Sequence, residues 1–236
     1  MPRLLVALLG ACALAVAACG SSDGGTATSA SAGAAPTTAT AAPAAGLPAG
    51  CRKAAAPTQK PGKVRRPTAR LATGRTWTVA LRTNCGTIDI RLAAARAPRT
   101  TASFAGLVKR GFYDGLTFHR IAGDPAGGPF VIQGGDPLGT GVGGPGYSVV
   151  EAPPKGTRYT RGTVAMAKTQ TEAPGTSGSQ FFIVTAPDAG LPPEYALVGR
   201  VSGGEAAVRR ISSAPTDDQE RPVAPIVIER ATLRGS

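Results

Sequence analysis

The chain carries one histidine, His119, and one asparagine, Asn84. Any Ser-His-Asp or Cys-His machinery would have to use that histidine, and a His-rich zinc site cannot be built around it. No carboxylate pair is readily nominated for glycoside hydrolysis. Gly139-Thr140-Gly141-Val142-Gly143-Gly144 satisfies G-x-G-x-x-G, but Pro137 precedes it, Pro145 follows it and no helix opens behind it. It reads as a turn-rich loop. Gly175-Thr176-Ser177-Gly178-Ser179 is similar to a nucleophile elbow but lacks the final glycine, and there is no Walker loop. Three stretches stand out, Phe118-His119-Arg120, Phe130-Val131-Ile132-Gln133 and Gln180-Phe181-Phe182, which place a guanidinium and two amides among aromatic residues. A guanidinium keeps its proton and presents a fork of donors. Read singly, each residue also has a plainer explanation. Arg120 could pair with a carboxylate on the protein wall, Gln133 could be a satisfied buried amide, and Phe130, Phe182 and Leu191 could be core.

Short strands must position these groups. Thr76 to Arg82 alternates apolar and polar, Asn84-Cys85-Gly86 makes a turn, and Thr87 to Leu92 alternates again, which predicts a hairpin. Pro98 opens a helix whose face carries Phe104, Leu107 and Val108, and Gly111 stops it. Short apolar runs follow at Phe118 to Ile121, Phe130 to Gln133, Tyr147 to Val150, Thr163 to Ala167, Gln180 to Thr185 and Tyr195 to Val201. A second helix is expected from Glu205 to Ser212, and a last strand from Ile226 to Leu233. Of 236 residues 42% are hydrophobic, enough for one sizeable core, and 32 glycines with 21 prolines supply many turns. The pattern predicts a mainly β fold, a closed barrel with helical caps.

Three longer segments carry a family resemblance. They are Gly111-Phe112-Tyr113-Asp114-Gly115-Leu116-Thr117-Phe118-His119-Arg120; Phe130 to Pro137, continuing through Gly139 to Tyr147; and Gly162-Thr163-Val164-Ala165-Met166-Ala167 with Gly178-Ser179-Gln180-Phe181-Phe182-Ile183. In this order and spacing they strongly resemble the cyclophilin family of peptidyl-prolyl isomerases, from roughly Trp77 to Leu233. The resemblance implies a closed eight-stranded antiparallel β-barrel capped by two α-helices. It also implies isomerisation of X-Pro bonds in proline-containing polypeptides. The chemistry is consistent. Rotation about a peptide bond meets a barrier of about 18–20 kcal/mol, and X-Pro bonds interconvert slowly between two populated isomers. No bond breaks, so no cofactor or metal is needed. An apolar pocket for the ring and a fixed donor for the twisted amide suffice. Carried over residue by residue, Arg120 is the catalytic donor and Gln133 orients it. Phe130, Val131, Phe182 and Leu191 line the proline pocket, Ala167 and Gln180 flank the neighbouring groove, and Tyr195 stands where the family often has a histidine. His119 is read as structural. A non-catalytic barrel that only holds Pro-containing segments is the alternative reading. A solute-binding protein is disfavoured, because the folded part shows no two-lobe βα alternation.

The sequence departs from the family at three places. The Arg120–Phe130 connection is about five residues longer than usual and glycine-rich, which would alter one wall beside the arginine. Lys168 stands where an asparagine is usual. Gly190 precedes Leu191 where a tryptophan often stands, which implies weaker binding of the cyclosporin-type inhibitors known for the family.

The N-terminus reads as an address. Leu4 to Ala18 is an apolar or small run of signal-peptide length, and Val16-Ala17-Ala18-Cys19 resembles a bacterial lipoprotein signal. The resemblance implies that residues 1–18 are a signal peptide and that Cys19 receives a lipid that anchors the chain to a membrane; an ordinary secretory signal and an uncleaved anchor are the alternatives, and all three readings place the remainder outside the cytoplasm. Residues 19–50 form a linker, and all but two residues of 20–50 are Ala, Ser, Thr, Gly or Pro. Residues 51–75 form a basic linker with eight cationic residues and no acidic one, and 76–236 form the isomerase domain. The net charge of +12 therefore belongs mostly to the linker. That run is either a solvated stretch or a site for anionic headgroups or wall polymer. Nucleic acid is not an expected partner, since no aromatic residues interleave with the charges. Cys51 and Cys85 remain after processing and are expected to form a disulfide in an oxidising compartment. A barrel without open edges is expected to be a monomer.

Overall fold

A computed structural model of the chain describes residues 46–54 and 63–236. The signal segment, Cys19 and the linker up to residue 45 lie outside the described residues. Strand β1 (Trp77–Thr83) pairs with β2 (Gly86–Leu92), setting Val79 opposite Ile90 and Leu81 opposite Ile88. All four side chains are fully buried, as period-two alternation requires when one face meets a core. Helix α1 (Pro98–Lys109) follows. Its Ala97 cap has no side-chain bond, and Glu151 takes over that role. Its carboxylate accepts from the Arg99 N–H at 3.1 Å and the Thr100 N–H at 2.7 Å. Then come β3 (Phe118–Gly123), β4 (Pro129–Gly134), β5 (Val149–Val150), β6 (Thr163–Met166), β7 (Thr176–Ser177), β8 (Phe181–Val184), β9 (Leu197–Gly203), α2 (Glu205–Ser212) and β10 (Ile228–Gly235).

Eight strands form one antiparallel sheet in the order β10-β1-β2-β9-β6-β8-β4-β3. The end strands share no full ladder. The seam is closed by a bridge between Thr117 and Val227, by the Phe118 N–H on the Ile226 carbonyl at 2.9 Å and by the Ile228 N–H on the Leu116 carbonyl at 2.7 Å. The two helices accord with expectation. The Tyr147 to Val150 run does not join the barrel: only Val149–Val150 is strand, paired with β7 in a separate ribbon. Asn84 stitches the β1–β2 turn to the seam. Its amide donates to the Arg52 and Pro225 carbonyls at 2.9 and 3.1 Å, and its oxygen accepts from the Val227 N–H at 2.9 Å.

The barrel interior is packed solid. Phe181 contacts Phe104, Tyr113 and Phe118 edge-on, with ring centroids 5.5–5.8 Å apart. The next residue, Phe182, faces the other side of the sheet, in a second and smaller apolar cluster with Val131, Tyr159, Ala165 and Val184. Residues 63–75 lie against the barrel. Val64 and Leu71 pack on its core, the Val64 N–H donates to the Pro145 carbonyl at 2.9 Å, and Arg110 donates to the Arg65 carbonyl. Cys51 and Cys85 are joined by a disulfide, which ties the chain before this strap to the first turn.

Candidate active site

Strand registers bring the key residues into one row. Arg120 on β3 pairs across from Gln133 on β4, Gln133 from Phe182 on β8, and Phe182 from Ala165 on β6. Adjacent strands are about 4.8 Å apart, so the row runs roughly 15 Å across the outer sheet face. One end is polar and the other apolar.

A chain of side-chain bonds fixes the polar end. The Gln180 amide donates to the Gly141 and Gly143 carbonyls, each at 2.9 Å. Its oxygen accepts from the Gln133 amide at 2.9 Å. The Gln133 oxygen, thus turned toward β3, accepts from Arg120 Nη1 at 3.4 Å. Both amide orientations follow from these partners. The loop receiving Gln180 is itself gripped by Asp136, 1% exposed, whose carboxylate accepts from the Leu138 and Thr140 N–H groups at 2.8 and 2.9 Å. Gly135 permits the close approach of β4 and β8. Its φ is +84°, and a Cβ there would meet the Ser179 carbonyl at 2.7 Å.

On its other edge Arg120 is not free. Nε donates to Glu220 Oε2 at 2.6 Å, so the wall carboxylate considered for Arg120 exists. The pair does not remove Arg120 from the row, because it uses Nε and leaves the Nη atoms to Gln133 and the groove. His119 lies behind the arginine. Burial lowers its pKa, with the Asp136 charge pulling the other way.

The apolar end is a shallow bowl. Val131 and Phe182 are each 4% exposed, and half-buried Phe130, Ala167, Leu191 and Tyr195 rim them. Phe182 meets Tyr195 edge-on at 5.4 Å, and Tyr159 stands behind both at 6.3 and 5.8 Å. The Tyr159 hydroxyl donates to the Tyr195 carbonyl at 2.7 Å and accepts from the Tyr195 N–H at 2.9 Å. Burial pushes that phenol up to about 12. Sequence reasoning missed Tyr159, since a tyrosine between a turn and a short strand carries no distinguishing signal. Lys168 is also more than a substituted asparagine. Its side chain is 4% exposed, its ammonium lies 3.1 Å from Glu194 Oε2 and donates to the Thr169 and Glu172 carbonyls, and it sits over the Tyr195 ring at 5.6 Å. It thereby ties the segment after Ala167 to the segment bearing Tyr195.

The longer Arg120–Phe130 connection extends the β3–β4 hairpin into a self-bonded turn. The Asp124 carboxylate accepts from the Ala126 and Gly128 N–H groups at 2.9 and 2.8 Å. This tip lines a cavity of about 920 Å³ against α2 rather than the bowl. Among the described residues no group of three or more His, Cys, Asp or Glu is placed to hold a metal ion.

The row thus sets an apolar patch beside a hydrogen-bonded guanidinium, on the sheet face opposite the filled core. Comparisons with known proteins agree. Residues 78–233 match the model of the family described as "Cyclophilin type peptidyl-prolyl cis-trans isomerase/CLD". Peptidyl-prolyl cis-trans isomerase-like 1 of Neurospora crassa is 40% identical over 159 residues, 66% of this chain and 93% of that protein. The crystal structure of a Cryptosporidium parvum cyclophilin type peptidyl-prolyl cis-trans isomerase superposes with a TM-score of 0.61 at 30% identity, covering 68% of this chain and 99% of that one. The same protein in the presence of the dipeptide Ala-Pro gives 0.60. The chain belongs to the cyclophilin-type peptidyl-prolyl cis-trans isomerase family. Its activity is the cis–trans isomerisation of X-Pro peptide bonds.

Proposed function

We propose that Arg120 is the donor that stabilises the twisted amide, held by Gln133, while Phe130, Val131, Phe182 and Leu191 receive the proline ring. Twisting the bond removes amide resonance, returns the lone pair to nitrogen and leaves a shorter, more ketone-like carbonyl. A donor aimed at that nitrogen gains strength only as the twist develops, which lowers the barrier without tightening the ground state. The observation that carries this reading is the row Arg120–Gln133–Phe182–Ala165. Ala167, Gln180 and Tyr195 flank the peptide on either side of the bowl.

The substrates are exported or cell-envelope proteins. The apolar run and Val16-Ala17-Ala18-Cys19 support a lipid anchor on Cys19, with the enzyme outside the cytoplasm, and the Cys51–Cys85 disulfide suits an oxidising compartment. Removing one preorganised donor costs on the order of 10²–10³ in rate. Arg120→Ala should therefore lose that much kcat/KM on an X-Pro peptide while the domain stays folded. Undiminished activity would remove Arg120 from the mechanism. Mass spectrometry of the N-terminal peptide from cell membranes tests the anchor: a diacylated Cys19 supports it, and an unmodified residue refutes it.

A further inference from the structure

Glu220 stands in the segment between α2 and β10 and is the sole non-glycine among the described residues with positive φ, at 60°. The left-handed region is unfavourable for a residue with a Cβ. A tight turn enforces it. The Glu220 N–H donates to the Asp217 carbonyl at 3.0 Å, the Asp217 N–H to the Arg221 carbonyl at 2.9 Å, and the Asp217 carboxylate accepts from the Gln219 and Arg221 N–H groups, both at 2.9 Å. The turn docks on β3 beside the arginine, where the Glu220 carbonyl accepts from the Ile121 N–H at 2.8 Å. From there the carboxylate reaches Arg120 Nε at 2.6 Å.

Stability does not account for this arrangement. The two side chains are 41% and 38% exposed, and ion pairs so open to water add little to folding. A glycine would suit the backbone better. Strain held in place beside a reacting group points to a role for the side chain that the strain presents.

We propose that Glu220 is a positioning residue for Arg120. This rests on the reading of Arg120 as the catalytic donor. Gln133 alone is a weak holder, at 3.4 Å from one Nη atom. The carboxylate grips the opposite edge of the guanidinium, fixes its plane and leaves Nη2, which has no partner among the described residues, for the substrate. The same carboxylate also offsets part of the positive charge. Orientation and charge offset act in opposite directions on the rate, and the sign of the mutational effect decides between them.

Freeing one long side chain is worth about two- to tenfold. Glu220→Gly should lower kcat/KM by that factor, carried by kcat with KM unchanged, while the melting temperature stays level or rises as the strain is relieved. Glu220→Gln, whose amide oxygen can still accept from Nε, should recover most of the activity. In an Arg120→Ala background Glu220→Gly should have no further effect. Exchange spectroscopy on an X-Pro peptide supplies kcat and KM for each variant. Wild-type or raised kcat/KM in Glu220→Gly, or an equal fall in the Arg120→Ala background, would overturn the proposal while leaving Arg120 in place. Full activity in Arg120→Ala alone would overturn both.

Discussion

Reduction of the Cys51–Cys85 disulfide should cost the protein much of its stability and none of its chemistry. The bond joins residues 34 apart in sequence, and the loop it closes contains β1 and the strap leading into it. Chain-entropy reasoning for a loop of that length gives about 3–4 kcal/mol of stabilisation, acting by restricting the unfolded chain. Contacts that survive reduction hold the native strap but do not replace that restriction. The Arg52 N–H still donates to the Asn84 carbonyl at 2.9 Å, and Arg52 still pairs with Glu229 at 2.5 Å. With Arg52 63% exposed, that pair contributes at most about 1 kcal/mol. For a domain of this size each kcal/mol moves the melting temperature by about 2–4 °C, so reduction should lower it by roughly 6–16 °C. The assay is thermal unfolding with and without a phosphine reductant, beside a Cys51→Ser/Cys85→Ser variant, with isomerase activity measured at 25 °C. Activity should persist, because the disulfide meets the β1–β2 turn whereas the row of site residues spans β3, β4, β8 and β6. A shift below about 3 °C would refute the entropic account. Lost activity in reduced protein that is still folded would show that the site depends on the clamp.

Two further outcomes follow from the same geometry. His119, its pKa lowered mainly by burial, binds a proton less readily folded than unfolded, where its pKa is about 6.5. Its contribution is therefore present above pH 6.5 and is lost as pH falls through the folded value, at up to about 1.4 kcal/mol per pH unit. Urea midpoints between pH 7 and 5 should show this slope, and its persistence in His119→Gln would assign it elsewhere. Gly190 has φ +62° and open space around a would-be Cβ. Gly190→Trp meets no clash at its Cβ and should lower stability by about 1–2 kcal/mol through backbone strain, and tighten binding of a cyclosporin-type inhibitor. Unchanged affinity by calorimetry would refute the assignment of that position.

The row of site residues is legible in the sequence through the family resemblance, and the period of two in strands accounts for its geometry. In Phe181-Phe182 one ring must enter the barrel and the next must leave it, and the outer ring falls in line with Gln133 and Arg120 once register is set. Alternation marks the first hairpin, short apolar runs between turn residues mark most other strands of the barrel, and Pro98, an apolar helical face and Gly111 mark the first helix. Where a segment's apolar residues instead meet a loop, alternation is silent, and so Tyr147 to Val150 looked like barrel but closes only a two-residue ribbon. The strap at 63–75 was hidden for a related reason. Its cationic residues dominate the composition, while Val64, Pro67 and Leu71 do the packing, with Pro67 lying against Gly106 of α1.

The residues whose roles sequence reasoning did not find share a physical character. Glu220, Tyr159 and Lys168 act through contacts between segments far apart in the chain. Arg120 and Glu220 are 100 residues apart, and the Tyr159 hydroxyl meets the Tyr195 backbone 36 residues away. No local spacing encodes such pairs. Their common effect is to fix, from behind or from the side, groups that the strands only place approximately. Phe182 cannot leave its position without unpicking β8, whereas Tyr195 sits outside β9 and needs Tyr159 and Lys168 to hold it. Arg120 is likewise anchored at its backbone but ends in a long, mobile side chain, so its aim must come from outside β3. Isomerisation places an unusual premium on that aim. With no covalent intermediate to commit the substrate, the advantage of the twisted amide over the planar one lies in the direction of a few donors. The barrel supplies the row, and the loops around it supply the direction.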